Sequence, residues 1–344
     1  MLLKRLSEAC GGPGKESVVR DLIKQEITEQ NLADEIICDA IGNLIVKKDG
    51  TKSDGPKVML AAHMDEVALM ISNVEKNGLL KFKPVGGIDL RILVGKSVYV
   101  GANKVSGVIG AKPIHMQRPE ERNTPLGLNE LYIDLGVRSQ EEAERLVKVG
   151  DYAYFTTSFS EFGDNLYKGK AFDDRVGCAV LMEVLKERYE FPLYVAFTVQ
   201  EEIGLRGSTV AGYTVEPDLA LVIEGTAAND IPDSKEHQQS TNLGKGPALT
   251  MMDRSVIPNP RLVSEILKVA DEHKIPVQIR RGTQGGTDAG KIQGTKGGVP
   301  VAVISVPCRY IHGPVSVMNK NDYNNTIELV KNFLKTLEQR GGVL

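Results

Sequence analysis

The 344-residue sequence predicts an α/β protein whose sheet-forming chain is interrupted by an inserted β-rich domain. Three observations carry that expectation. Helical and strand-like segments alternate over 1–67 and resume over 163–344, the texture of helices packed on a sheet. Between them, over 68–162, short apolar runs are separated by glycines, as in a small barrel. The outer segments also hold apolar runs that are continuous rather than alternating, which marks strands buried on both faces.

In chain order, ESVVRDLIKQEITEQ (16–30) places Val19, Leu22, Ile23 and Ile27 at helical spacing, an amphipathic helix. EIICDAIGNLIVKKDG reads as two strands about a turn at Gly42–Asn43. KVMLAAHMDEVALMI (57–71) is apolar except for His63, Asp65 and Glu66, and reads as one buried strand. In the insert, KFKPVGGIDLRILVGKSVYVGANKVSGVIGAKPI supplies short strands. SQEEAERLVKVGD follows as a helix opened by a capping box of Ser139 and Glu142. DYAYFTTSFSEFGD then returns to strands. Thereafter DDRVGCAVLMEVLKERY, NPRLVSEILKVADEHK and DYNNTIELVKNFLKTLEQ read as helices, and PLYVAFTVQ, DLALVIEG, PVQIRRG and PVAVISVPCRY as strands.

Composition narrows the function classes. Hydrophobic residues make up 41% and charged residues 25%, ordinary for a globular protein with a full core. A net charge of -3 without a basic run argues against a nucleic-acid surface. No apolar run of about 18 residues offers a membrane span, and the first residues do not resemble a secretory leader. Cys10, Cys38, Cys178 and Cys308 are scattered without metal-ligand spacing and read as free thiols of a reducing, cytoplasmic compartment. Tryptophan is absent, so platforms for stacking sugars are few.

Ligand sites of α/β sheets gather at the carboxyl ends of strands, so polar residues there are informative. Five stretches qualify: His63 and Asp65 in AAHMDE, Asp173 and Asp174 in KAFDDRVG, Glu201 and Glu202 after AFTVQ, Glu224 in LALVIEG, and His312 after PVAVISVPCRYI. Each alone has an ordinary structural explanation, as a core histidine, a helix cap or a solvated strand end. Together, two histidines and several carboxylates without cysteine describe a hydrolytic metal site.

On these motifs the sequence resembles the M42 family of metallo-aminopeptidases, the tetrahedral aminopeptidases that include glutamyl aminopeptidase-like proteins. The resemblance runs through AHMDEVALMI, KAFDDRVG, VQEEIGLRG, LGKGPAL, GGTDAGKI and the His312 segment followed by Pro314-Val315, and covers essentially the whole chain. It implies a mixed-sheet catalytic domain of the dinuclear-metal exopeptidase type over 1–67 plus 163–344. Over 68–162 it implies a PDZ-like β-barrel dimerisation domain, with dimers assembling into a hollow dodecamer that admits short peptides. It also implies two divalent ions, zinc or cobalt, with manganese an alternative. His63 and Glu224 would hold one ion and Glu202 and His312 the other, with Asp173 bridging. A water between the ions would attack the peptide carbonyl with Glu201 as general base.

Asp65, two residues beyond His63 and so on the same strand face, would orient the imidazole. Asp174 would cap a helix or support the ligands, Asp288 would be structural or near the substrate, and His115 would serve packing or an interface. Related peptidases commonly carry Asp at the position of Glu224. Two other functions fit less well. A glycoside hydrolase needs carboxyls flanking the bond, roughly 5–9.5 Å apart, which neighbours diverging from one strand supply poorly. A non-catalytic scaffold with a vestigial site would be expected to have lost a member of the set. The preferred N-terminal residue is not specified, and Arg280, Arg281 and Arg309 carry no assigned role.

Overall fold

The computed structural model describes residues 1–52 and 55–341. Strands β1 (Glu35–Cys38), β2 (Leu44–Lys48) and β3 (Val58–His63) begin the main sheet. The chain then leaves it for a closed barrel of β4 (Ala68–Val74), β5 (Leu80–Val85), β6 (Ser97–Val100), β7 (Val105–Ala111), β8 (Leu131–Asp134) and β9 (Tyr152–Phe155). It returns with β10 (Ser160–Phe162), β11 (Leu166–Gly169), β12 (Leu193–Thr198) and β13 (Leu219–Ala227). The last strands are β14 (Ala248–Thr250), β15 (Gln278–Arg280), β16 (Val301–Arg309) and β17 (Ser316–Asn319).

The main sheet is mixed, in the order β1-β2-β12-β3-β13-β16-β17-β11-β10, with β14 pairing both β16 and β15. Its centre, β12-β3-β13-β16, is parallel, and antiparallel strands flank it. The centre suits its sequence: every residue of β3, VMLAAH, is buried. Alternate side chains feed two different layers, as a strand's period of two dictates. Val58, Leu60 and Ala62 join the core under the helices Phe172–Val184, Pro260–Glu272 and Lys320–Gln339. Met59 and Ala61 face the helices Arg206–Val215 and Ala289–Gln293 on the other side. The barrel has its own core, including Leu69, Phe82, Ile109, Ile133 and Phe155.

Four expectations change. KVMLAAHMDEVALMI is two strands, not one: β3 ends at His63 and β4 opens the barrel at Ala68. Between them the Met64 N–H donates to Thr198 and the Glu66 N–H to Gly11, which carries the backbone out of the ladder. The insert expected to reach 162 ends its barrel strands at Phe155, because β10 turns through Gly163 (φ 56) into a hairpin with β11 in the main sheet. The helix Arg206–Val215 was not expected, since Gly207 and Gly212 lower its propensity. Gly207 is there for space: a Cβ would stand 2.4 Å from Asn43 Oδ1 and from the Val199 carbonyl. Ser139 does cap its helix through the Glu142 N–H at 3.3 Å, but the Glu142 carboxylate accepts from Arg138 rather than closing a reciprocal box.

A buried ionic cluster ties the two parts of the chain together. Lys170 Nζ lies 2.7 Å from both Glu66 oxygens, and Arg175 donates to Glu66 and to the carbonyls of Leu6, Ala9, Gly11 and Met64. These bonds satisfy the strand-to-barrel crossing beside His63.

Candidate metal centre

The parallel strands deliver the polar residues to one end of the sheet. His63 is the last residue of β3 and registers with Thr198, the last of β12. Glu201 and Glu202 follow three and four residues later, in a turn entered through Gln200 (φ 57). Glu224 lies inside β13, opposite Ser305 of β16. His312 follows the end of β16 at φ 57, and Asp173 sits in the first turn of the helix Phe172–Val184. The glutamate pair therefore diverges because of the turn, not because of strand alternation.

Asp173 stands between the two imidazoles. Its Oδ1 lies 3.2 Å from His63 Nε2 and its Oδ2 lies 3.3 Å from His312 Nε2. Glu224 Oε2 is 3.6 Å from His63 Nε2, and Glu202 Oε1 is 3.4 Å from His312 Nε2. Glu201 Oε2 lies on the His63 side, at 3.9 Å. Two groups result, His63–Asp173–Glu224 and Asp173–Glu202–His312, each with its donor atoms within 4.8 Å of one another.

Asp65 stands against His63 as expected and has a second contact that its spacing did not suggest. It lies beyond the end of β3, so the same-face reasoning does not apply. His63 Nδ1 is 3.1 Å from the Asp65 carbonyl and 3.5 Å from its carboxylate. With Nδ1 engaged by that carbonyl, Nε2 is the ring nitrogen that faces Asp173 and Glu224. The Asp65 carboxylate also accepts from the Glu201 and Glu202 N–H groups, both at 3.0 Å, and so fixes the turn that aims them. Asp174 accepts from the Gly177 N–H at 3.0 Å, as a helix cap would, and from the His63 N–H at 3.2 Å. Asp288 is buried beneath the site and bonded to Thr198, with Oδ1 unpartnered. His115 lies far along the chain in the barrel and is exposed.

The electrostatics describe a site short of positive charge. Burial pushes the Glu201 and Glu224 carboxyls well above the usual range, and neighbouring carboxylates add to it. Glu202 is pushed up to about 7, chiefly by burial. Burial would lower His312, but the Asp173 carboxylate and the charge of Glu202 hold it at about 9. Asp173 goes the other way: burial would raise it, yet hydrogen bonds from both histidines keep it ionised. Glu224 Oε1 is buried without a partner. Buried carboxylates in this excess call for a counter-charge, and two imidazoles with carboxylate oxygens are a donor set suited to divalent cations. The residues fit a pair of such ions.

The centre opens into a cleft of about 590 Å³. Its far side includes Thr250, Arg254 and Arg280, which the sequence did not single out as site residues. Of the three, only Arg280 lay in a stretch read as a strand, PVQIRRG.

Comparison with known proteins places the chain in a family. Residues 42–329 match the family described as M42 glutamyl aminopeptidase. The chain is 32% identical to the lysyl aminopeptidase of Pyrococcus furiosus, over 98% of this chain and 97% of that one. It superposes on a TET aminopeptidase from a marine-sediment Thaumarchaeota archaeon with TM-score 0.94 and 38% identity, covering 99% and 97% of the two chains. The TET1 peptidase of Pyrococcus horikoshii, which can assemble into a tetrahedron or a large octahedral shell, superposes with TM-score 0.85 and 33% identity over 97% and 98%.

Proposed function

This chain belongs to the M42 glutamyl aminopeptidase family, and on that premise we propose that it removes N-terminal residues from short peptides with two divalent cations and a glutamate base. His63 and Glu224 would hold one cation and His312 and Glu202 the other, with Asp173 within reach of both. Zinc or cobalt suits the donors, and manganese is a third choice. The cations supply Lewis-acid polarisation of the scissile carbonyl and make water more acidic.

The chain's own residues move the proton. Glu201, free of a ligand role, takes a proton from the attacking water. The water oxygen then forms the new C–O bond, the C–N bond breaks, and Glu201 returns the proton to the departing nitrogen. Asp65 holds the Glu201 and Glu202 N–H groups, so it acts as a positioning residue.

The observation that carries this reading is the pair of three-residue groups sharing Asp173. Metal analysis with anomalous scattering tests it: up to two ions per chain should lie within reach of Asp173. Two fully occupied ions held by other residues would remove the assignment. A chelator should abolish peptide hydrolysis, which also separates this chemistry from glycoside cleavage by two carboxyls alone.

A further inference from the structure

We propose that Glu16 is a positioning residue for Glu201, acting through the backbone N–H of Gln200. It fixes the entry to the turn that carries the base, and it does so from a segment pinned to the barrel. The inference rests on the aminopeptidase reading and deepens it, by naming a residue that sets where the base stands. Residue 16 lies outside the span 42–329 that matches the family.

Four consecutive N–H groups follow the last residue of β12, and each donates to a side chain. Val199 donates to Asn43 Oδ1 at 3.0 Å and Gln200 to Glu16 Oε1 at 3.1 Å. Glu201 and Glu202 donate to Asp65, both at 3.0 Å. Three side chains from elsewhere in the chain therefore hold the path of this turn. Gln200 is the point where the backbone changes direction. At φ 57 it lies in the left-handed region, which costs energy for a residue with a Cβ. Such a conformation persists where its surroundings impose it, and Glu16 supplies the acceptor at that residue. Glu201 comes next in the chain, so rotation at Gln200 would swing its carboxylate away from His63, now 3.9 Å distant.

Glu16 serves this contact rather than its own helix. It occupies the N-cap of the helix Ser17–Glu29, yet its side chain makes no cap bond there. It is buried, at 4% exposure, and accepts from the Gly14 N–H at 2.7 Å and from Gln200, 184 residues onward. Its charge makes these bonds stronger than a neutral acceptor would. The segment before it is itself pinned. The Gly11 N–H donates to Glu66 and the Gly12 N–H to Tyr154 Oη, both at 3.2 Å. Tyr152 Oη donates to the Pro13 carbonyl at 2.9 Å. Both tyrosines belong to β9 of the barrel. Glu16 thus hangs the base-bearing turn on the barrel as well as on the main sheet, and a support locked at its far end holds its acceptor in place. A merely structural Glu16 would change stability and leave the turnover of the folded enzyme alone.

The test uses the full chain, metal-loaded, with a panel of aminoacyl-p-nitroanilides. On the best substrate Glu16→Ala should lower kcat by roughly 10- to 100-fold, the cost of misplacing a reacting group by about an ångström. KM and metal content should stay near wild type. Glu16→Gln, whose amide oxygen can still accept from Gln200, should recover part of the loss. Groups that act as a unit are not additive, so Glu16→Ala should cost little more in a Glu201→Gln background. Two losses that multiply in full would place Glu16 on another path and overturn the inference. A crystal structure of Glu16→Ala gives a readout besides activity: Gln200 should leave its φ and Glu201 Oε2 should move from His63. An unmoved turn overturns the inference, as does wild-type kcat in Glu16→Ala. Should Glu16→Ala not fold, Tyr152→Phe removes the hydroxyl that holds Pro13. It must then lower kcat in the wild-type background and not in Glu201→Gln. A metal-loaded wild type that cleaves none of the panel overturns the aminopeptidase reading, and this inference with it.

Discussion

Glu201 and Glu202 share one chemistry and one turn, yet their carboxylates approach different imidazoles, His63 at 3.9 Å and His312 at 3.4 Å. Their substitutions should therefore fail differently. Glu201→Gln keeps the size and removes the base, so turnover should fall by roughly 10²–10⁴-fold with metal content unchanged. Glu202→Gln replaces a charged ligand by a neutral amide, so ion affinity should fall and added metal should restore part of the activity. Rescue of Glu201→Gln by excess metal, or equal metal loss in both variants, would contradict this division. The Asp65 carboxylate, which grips both backbone N–H groups, makes the two side chains diverge without either needing its own support.

At the scale of elements, the site depends on how closely β13 passes the helix that carries Asp173. Gly225, next to Glu224, leaves no room: a Cβ there would stand 2.9 Å from Asp173 Cα and 3.1 Å from its nitrogen. Gly225→Ala should push Asp173 away from the histidines. The overpacking should cost about 1–3 kcal/mol of stability, read as a lower urea midpoint, together with weaker metal binding in titration. An unchanged midpoint with full metal affinity would show that the strand and helix can part without loss. The same closeness explains why a strand so apolar tolerates a glycine at its most functional point.

For the whole molecule, the candidate metal centre joins strands, a helix and two loops from distant parts of the chain, so ions bound there should stabilise the fold as a unit. Ions present at about 100 times their dissociation constant add roughly 2.7 kcal/mol per site. Calorimetry should therefore show a clear fall in the thermal midpoint on chelation and its return on adding metal. Self-association should follow from the barrel, where Ile114 is 67% exposed, Met116 62% and Val108 48%. Apolar residues so exposed suit burial against another copy. Light scattering should find a dimer or a mass near twelve chains, and Ile114→Asp should shift it towards smaller species. A monomer at working concentration would remove that expectation.

Much of the fold and the candidate site was legible in the sequence, because burial is written locally. The runs that became β3, β12, β13 and β16 are apolar at nearly every position. Of the eight polar residues that interrupt or follow such runs or open the next helix, His63, Glu201, Glu202, Glu224 and His312 gather around Asp173. What stayed hidden depends on partners far away in the chain. Apolarity could not say that Leu60 and Ile71 lie in different cores. Spacing could not show that Asp65 serves N–H groups 136 and 137 residues onward. Nor could it show that Thr250 and Arg280, thirty residues apart, would lie side by side with their polar groups unpaired. A residue's tendency to be buried follows from its own side chain and near neighbours, but a hydrogen-bond partner, or the lack of one, exists only once the chain has closed on itself.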